Sequence, residues 1–225
     1  MTAPLDKPIW HALSTRHAAL AEGTARAKRY PGSISPFASL SDDTDESLAE
    51  LADLIRGGST AVLLEGEPVR FSPAFTIDKR ADGVQMVADG PCPVITDPRI
   101  VPLGWDDAQA MHDLAQLTKP GPFTLEALRL GRFWRIRLDG RLVAMAGERL
   151  AVPGMTEISG VCTHPDCRGQ GLGRVMSAYV AGEITTRGEQ PFLHAWTTNK
   201  VAIDLYASLG FRLRRTVEVA IVRVV

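Results

Sequence analysis

Hydrophobic positions recur at two spacings along this chain, and the way the spacings alternate sets the elements it predicts. A short helical stretch covers residues 9–22, followed by a polar loop containing Pro31, Gly32 and Pro36. Leu48, Leu51, Leu54 and Ile55 then fall on one helical face and predict a helix over 46–55. Asp42, Asp43 and Asp45 sit at its N-terminal end, where the helix dipole favours negative charge. Runs at 60–64, 74–77 and 84–87, bounded by Gly, Pro or Asp, predict three short strands.

After Pro91, Pro93 and Pro98 the pattern sharpens. A strand over 100–103 leads to a helix capped by Asp106 or Asp107 and carrying Met111, Leu114 and Leu117; a Pro/Gly loop at 118–123 breaks it, and a short helix follows at 125–130. Residues 133–138 and 141–149 read as a hairpin around Asp139-Gly140, a dipeptide suited to a two-residue turn. A third strand covers 157–163. Beyond a glycine-rich segment come a helix over 172–187, a strand over 192–196, a helix over 201–209 stopped by Gly210, and a terminal strand over 211–224. The chain carries no internal repeat and no low-complexity tract.

With 45% hydrophobic and 23% charged residues, composition is that of a globular protein, and it excludes disordered and fibrous classes. No apolar run approaches the roughly 20 residues of a membrane span, and the first residues lack a signal-peptide pattern, so the expectation is a soluble cytoplasmic protein. Cys92, Cys162 and Cys167 cannot all pair with one another, and they complete no zinc motif. His164 and Cys167 supply only two ligands, so no metal is expected. Charge is asymmetric: residues 1–97 carry 9 basic and 14 acidic side chains, residues 98–225 carry 16 and 12. That balance is too scattered for nucleic acid but suits one small anionic ligand.

Such a ligand has an evident place at residues 168–174. A strand runs into Arg168-Gly169-Gln170-Gly171-Leu172-Gly173-Arg174 and straight on into a helix. Glycines at alternate positions leave backbone N–H groups unshielded where the helix dipole also attracts anions, which makes a diphosphate cradle. The spacing is neither the dinucleotide fingerprint nor a P-loop. Taken alone, it reads as a structural turn, Asn199 as a helix N-cap and Tyr206 as a half-buried aromatic.

Together, Val161-Cys162-Thr163-His164-Pro165, the glycine turn, Asn199-Lys200-Val201-Ala202, Leu205-Tyr206 and Leu209-Gly210-Phe211 resemble the GNAT superfamily of acyl-CoA-dependent N-acetyltransferases. The resemblance covers residues 98–225, and 157–211 carry its specificity. It implies an α/β (α+β) fold: a GNAT-type mixed, mostly antiparallel twisted sheet flanked by helices, with residues 98–225 as the transferase domain. Residues 1–97 resemble the divergent N-terminal α/β half of one subgroup, a degenerate copy of the same fold. Family membership further implies acetyl-CoA as acyl donor, its diphosphate on Arg168, Gly169, Gln170, Gly171, Leu172, Gly173 and Arg174 and its pantetheine arm along Val161, Cys162 and Thr163. Asn199 matches a cofactor contact, and Tyr206 the acid that protonates the departing thiolate.

Acyl transfer to an amine needs a base, because an alkyl ammonium has a pKa of about 10. Strand alternation puts Glu157, Ser159, Val161 and Thr163 on one face, and Glu157 resembles the general base of histone-acetyltransferase-like members. The other reading of Glu157 is an exposed residue at a strand start. Glu148, His112 and His194 are weaker candidates. The expected reaction is direct transfer of acetyl to a primary amine of a small molecule or a protein N-terminus; a cysteinyl intermediate on Cys162 or Cys167 is the lesser route. The competing class is a silent acyl-CoA-binding or structural module. Family members usually end in a hairpin, whereas 211–225 holds no turn signal, so the missing edge falls to the N-terminal half or to a second copy in a homodimer.

Overall fold

The computed structural model describes residues 4–58 and 60–225. Two compact units emerge, and each draws on both sides of the 97/98 division: the first holds residues up to Val84 with Ala151–Pro153 and Arg215–Val225, the second Gln85–Leu150 and Gly154–Arg214.

In the first unit, helix α1 (Pro8–Ser14) ends well before residue 22 and is followed by a 3-10 turn at Ala18–Leu20. Strands β1 (Glu22–Gly23), β2 (Ala27–Arg29) and β3 (Ala38–Leu40) form a small antiparallel sheet in that order. Helix α2 (Asp45–Leu54) starts at Thr44, whose hydroxyl accepts the Ser47 N–H. It buries Leu48, Leu51 and Ala52 in a cluster with Leu40, Leu63 and Val222. Strand β4 (Ala61–Glu65) follows, and then β5 (Phe75–Ala88), one long strand where the sequence predicted two. The polar stretch 78–83 stays extended because its charges are answered across the sheet: Arg80 pairs with Glu218, and Arg223 Nε donates to Asp78 at 3.0 Å.

In the second unit the chain continues through β6 (Val101–Pro102), a 3-10 turn at Trp105–Asp107, and α3 (Ala108–Thr118). The residues expected to form a short helix at 125–130 make only a 3-10 turn, Ala127–Arg129. Then come β7 (Phe133–Leu138), β8 (Arg141–Val152), β9 (Met155–Thr163), α4 (Leu172–Thr186), β10 (Gln190–Trp196), α5 (Lys200–Ser208) and β11 (Phe211–Val224). Asp139 and Gly140 join β7 to β8 with φ of 48° and 78°, the left-handed pair that a tight two-residue hairpin demands. The strand order is β11, β5, β10, β9, β8, β7, β6, with β5 and β11 contributing only their residues from this unit. Pairing is antiparallel from β6 to β8, and β9 with β10 is parallel. Met111 and Leu114 of α3 pack with Phe133, Met145 and Cys162.

The terminal strand carries no hairpin, as its sequence suggested. Its edge partner, in the first unit, is β4: Glu218 to Val222 pair antiparallel with Glu65 to Ala61.

Candidate active site

Strand β9 is the backbone of the site, and its neighbour leaves it halfway. The parallel register with β10 runs from Met155/Gln190 to Ile158/Leu193 and ends there, although β9 continues to Thr163 and β10 to Trp196. Backbone groups beyond Ser159 on that side are therefore open to an extended ligand. Gly160, just past the fork, has φ of 60°, and a Cβ there would lie 2.8 Å from Phe133 Cε1 and 3.3 Å from Phe123 Cε2. Only glycine fits both the turn and the space.

This glycine also breaks the alternation that the sequence predicted. Glu157 lies on the face of Arg149, which follows Met145 and Gly147 at two-residue spacing on β8. Cys162 belongs to the buried cluster that holds Met145, on that same face, five residues after Glu157, which regular alternation forbids. Thr163 turns to the α4 face, its Oγ1 3.5 Å from where a Cβ on Gly173 would stand. Hence Glu157 and Thr163 do not share a face, because the strand gains a bulge-like step at Gly160.

At the end of β9 the glycine turn has the form expected of an anion cradle. Gly169 and Gly171 take φ of 78° and 73°, and nothing lies within 4 Å of where their Cβ atoms would be. Gly171 is the N-cap of α4, a helix of 15 residues whose first N–H groups have no partner within the helix. Val175 N–H, bonding back to Gly171 O at 3.0 Å, is where the helical ladder begins. Arg174 is held by the Ser208 hydroxyl at the end of α5. Beside the turn lies a pocket of about 430 Å³ lined by Gly171, Arg174, Ser208, Cys92 and Pro93. The free backbone donors, the open glycines and the adjoining arginine fit a diphosphate-bearing ligand.

Tyr206 sits on the buried side of α5 and meets Phe211 edge to face at 6.2 Å. Burial, and then the nearness of Cys162, push its phenol up to about 12, against a hydrogen bond with Ser177 that pulls down. Ser177 itself donates to Gly173 O at 2.8 Å in the first turn of α4. The Tyr206 phenol stays protonated throughout the physiological range. Cys162 is likewise pushed up to about 12 by burial, despite a hydrogen bond with Thr118, so its thiolate is too scarce to act as a nucleophile. Asn199 caps α5, its Oδ1 accepting the Ala202 N–H at 3.2 Å.

Glu157 has a different setting from the exposed strand-start position or the waiting base. Its side chain is 0% exposed. Arg149 grips both oxygens, Nε to Oε2 at 2.8 Å and Nη2 to Oε1 at 2.6 Å; Leu150 N–H adds 3.2 Å, and His194 Nδ1 stands 2.7 Å from Oε1. Burial alone would push the carboxyl up, but the Arg149 charge and the hydrogen bonds from Arg149 and His194 outweigh it and bring it to about 2. So lowered, and with these donors on its oxygens, the carboxylate is a weak proton acceptor.

The row extends further. Arg214 Nη1 donates to Gln85 Oε1 at 2.8 Å, which fixes the amide so that its Nε2 faces His194 Nε2 at 2.9 Å. Arg214, Gln85, His194, Glu157 and Arg149 thus come one from each of β11, β5, β10, β9 and β8, strands that are consecutive in the sheet. Glu148 is paired with Arg187 at 2.8 Å, and His112 lies near Gln116 on α3. Sequence reasoning missed Gln85, Arg149, Arg214 and Gly160. The signals were present: a glutamine inside the apolar run Val84 to Ala88, and a lone glycine inside a strand. No helix is long and apolar enough to cross a membrane, and no group of three or more metal-ligating side chains occurs, among the described residues.

Comparison with known proteins agrees with this geometry. The FR47-like protein family model matches residues 136–220. A protein from Novosphingobium aromaticivorans described as a GNAT-family acetyltransferase is 39% identical, with 99% of each chain covered and a TM-score of 0.93. A GCN5-related N-acetyltransferase from Kribbella flavida shares the fold at 18% identity, covering 96% of this chain and 95% of its own, with a TM-score of 0.64. A GCN5-related N-acetyltransferase-like protein from Streptococcus suis does so at 15% identity, 90% and 82% coverage, and a TM-score of 0.56. No curated protein matches the sequence.

Proposed function

The chain belongs to the GNAT family of acetyltransferases, and from that premise we propose that it moves an acetyl group from acetyl-CoA directly to a primary amine of a small molecule or a protein N-terminus. The observation that carries this reading is Tyr206, a buried phenol on α5, the helix that Ser208 ties to Arg174 in the first turn of α4, beside the glycine turn. A module that only held an acyl-CoA would need the turn and not the acid.

In this reading the backbone N–H groups of residues 169–174 hold the donor's diphosphate, and the open edge of β9 at Val161, Cys162 and Thr163 pairs with its pantetheine arm. Arg168 and Arg174 add positive charge at the turn. Acetyl-CoA supplies an activated thioester carbonyl. Tyr206 gives its proton to the sulfur as the C–S bond breaks, which spares the site a free thiolate. Asn199 serves first as the cap of α5, the helix that carries Tyr206. The raised thiol pKa of Cys162 favours direct transfer over a cysteinyl intermediate.

Amine deprotonation is not assigned to Glu157. With that carboxylate held by Arg149, and the His194 lone pair facing Gln85, the proton leaves through water, or the amine arrives neutral. Glu157 acts instead as the buried counter-ion that fixes β8 and β10 to β9 immediately before the fork.

Incubation with acetyl-CoA and a library of amines, read by mass spectrometry for acetylated products and by release of free thiol, tests the proposal. Acetylation of amines that is lost in Tyr206→Phe is expected; absence of any amine product across the library would overturn it.

A further inference from the structure

The second unit holds another pocket, of about 580 Å³, lined by Trp105, Arg132, Phe133, Trp134, Tyr179 and Glu183 among others. Its floor is aromatic: Trp134 of β7 meets Tyr179 of α4 edge to face at 5.7 Å. At its rim Trp105 is 59% exposed, a large apolar surface left to water. Glu183 stands one turn beyond Tyr179 on α4, and burial together with its charge raises the Tyr179 phenol. Arg132, the residue before β7, also lines it. Among the described residues neither Arg132 nor Glu183 forms an ion pair, although both line this one pocket. None of its residues belongs to the glycine turn, to β9 or to α5.

We propose that this pocket binds a small zwitterion, a molecule carrying both an ammonium and a carboxylate. The ammonium meets the aromatic faces of Trp105 and Tyr179 beside Glu183, and the carboxylate meets Arg132. Cation–π contacts attract the ammonium to the ring faces, and an arginine–carboxylate contact adds a charge-assisted hydrogen bond. A simple organic cation would gain the first and face Arg132 unscreened; a simple anion would gain the second and face Glu183. Only a ligand with both charges satisfies both side chains. The volume lies within the range of about 300–1,000 Å³ that small-molecule sites occupy.

Glycine betaine is a suitable probe, with choline and acetate as its single-charge counterparts, followed by tryptophan fluorescence and calorimetry on the whole protein. Saturable betaine binding, about tenfold tighter than choline or acetate, is expected. Trp105→Ala and Glu183→Gln should each weaken it severalfold, and Arg132→Gln should erase the preference over choline. All three side chains reach solvent, so the variants should keep the melting temperature and the acetyl-CoA affinity of the parent, and those two measurements separate this site from the transfer site. No saturable betaine binding, choline binding as tightly as betaine, or an affinity indifferent to the three substitutions would overturn the proposal.

Discussion

His194 Nδ1 lies 2.7 Å from Glu157 Oε1, and that contact places a hydrogen on Nδ1 of the imidazole. An ionised carboxylate only accepts, so Nδ1 carries the hydrogen, and Nε2 is left to accept from the Gln85 amide that Arg214 has oriented. The row is a closed set of donors and acceptors across five strands. Every member is spoken for, and the first consequence concerns Glu157.

Glu157→Gln should behave as a stability variant. It leaves the Arg149 guanidinium, 13% exposed, without its counter-charge, and breaking a buried pair in this way costs about 3–5 kcal/mol. Urea denaturation checks this. Because the carboxyl is lowered from 4.5 to about 2 in the folded protein, its contribution is fully present above 4.5 and is lost as pH falls through that window. The pH–rate profile of the folded variant should keep its shape. A rate loss concentrated at low pH, with stability intact, would return Glu157 to the role of base.

Tyr206→Phe should lower turnover by roughly 10²-fold to 10⁴-fold with little change in acetyl-CoA affinity, because a proton for the leaving group matters only as the bond breaks. With the phenol at about 12, the parent enzyme should show no alkaline fall in rate from this group below that pH. Turnover equal to the parent's would make Tyr206 a packing residue.

Gly171→Asp should abolish acetyl-CoA binding in calorimetry, since it sets a carboxylate at the N-cap where the phosphates are proposed to lie. Its φ of 73° adds about 1–2 kcal/mol of strain for any side chain. Gly171→Ala carries the strain without the charge and separates the two effects. Equal affinity in the Asp variant would remove the diphosphate from this turn.

Glu65, in the first unit, is 3% exposed; Ser39 Oγ donates to its Oε1 at 2.5 Å, and its Oε2 has no hydrogen-bond partner. Burial pushes it up to about 7, partly opposed by Lys7 and the Ser39 bond. The folded protein therefore binds a proton that the unfolded chain releases near 4.5, and stability should decline as pH rises from there to about 7. Glu65→Gln should flatten that slope and stabilise the protein by roughly 1–3 kcal/mol at pH 8, read from denaturation curves at several pH values. An unchanged slope would refute the assignment.

Residues 98–225 expressed alone should be insoluble or unfolded. Strand β11 would lose its five pairs with β4, exposing a long apolar edge at Val217, Val219 and Val222. A soluble, active fragment would show the first 97 residues to be dispensable.

Local chemistry made much of this protein legible in one dimension. Glycines 169 and 171 had to form a turn before a helix, Asp139-Gly140 had to close a hairpin, and Asn199 had to cap α5, because each depends on backbone preferences within a few residues. The family likeness rested on that same stretch. Tertiary structure decided what depended on distant partners. Residues 78–83 look like a turn until Glu218 and Arg223 pair with them from β11. Glu157 looks like a base until Arg149, eight positions earlier, and His194, thirty-seven later, occupy its oxygens. Strand alternation assigned Thr163 to the face of Glu157 until Gly160, pressed against Phe133, reversed it. A side chain's proton affinity and orientation are set by what surrounds it in space, and neighbours in sequence supply only part of that surrounding.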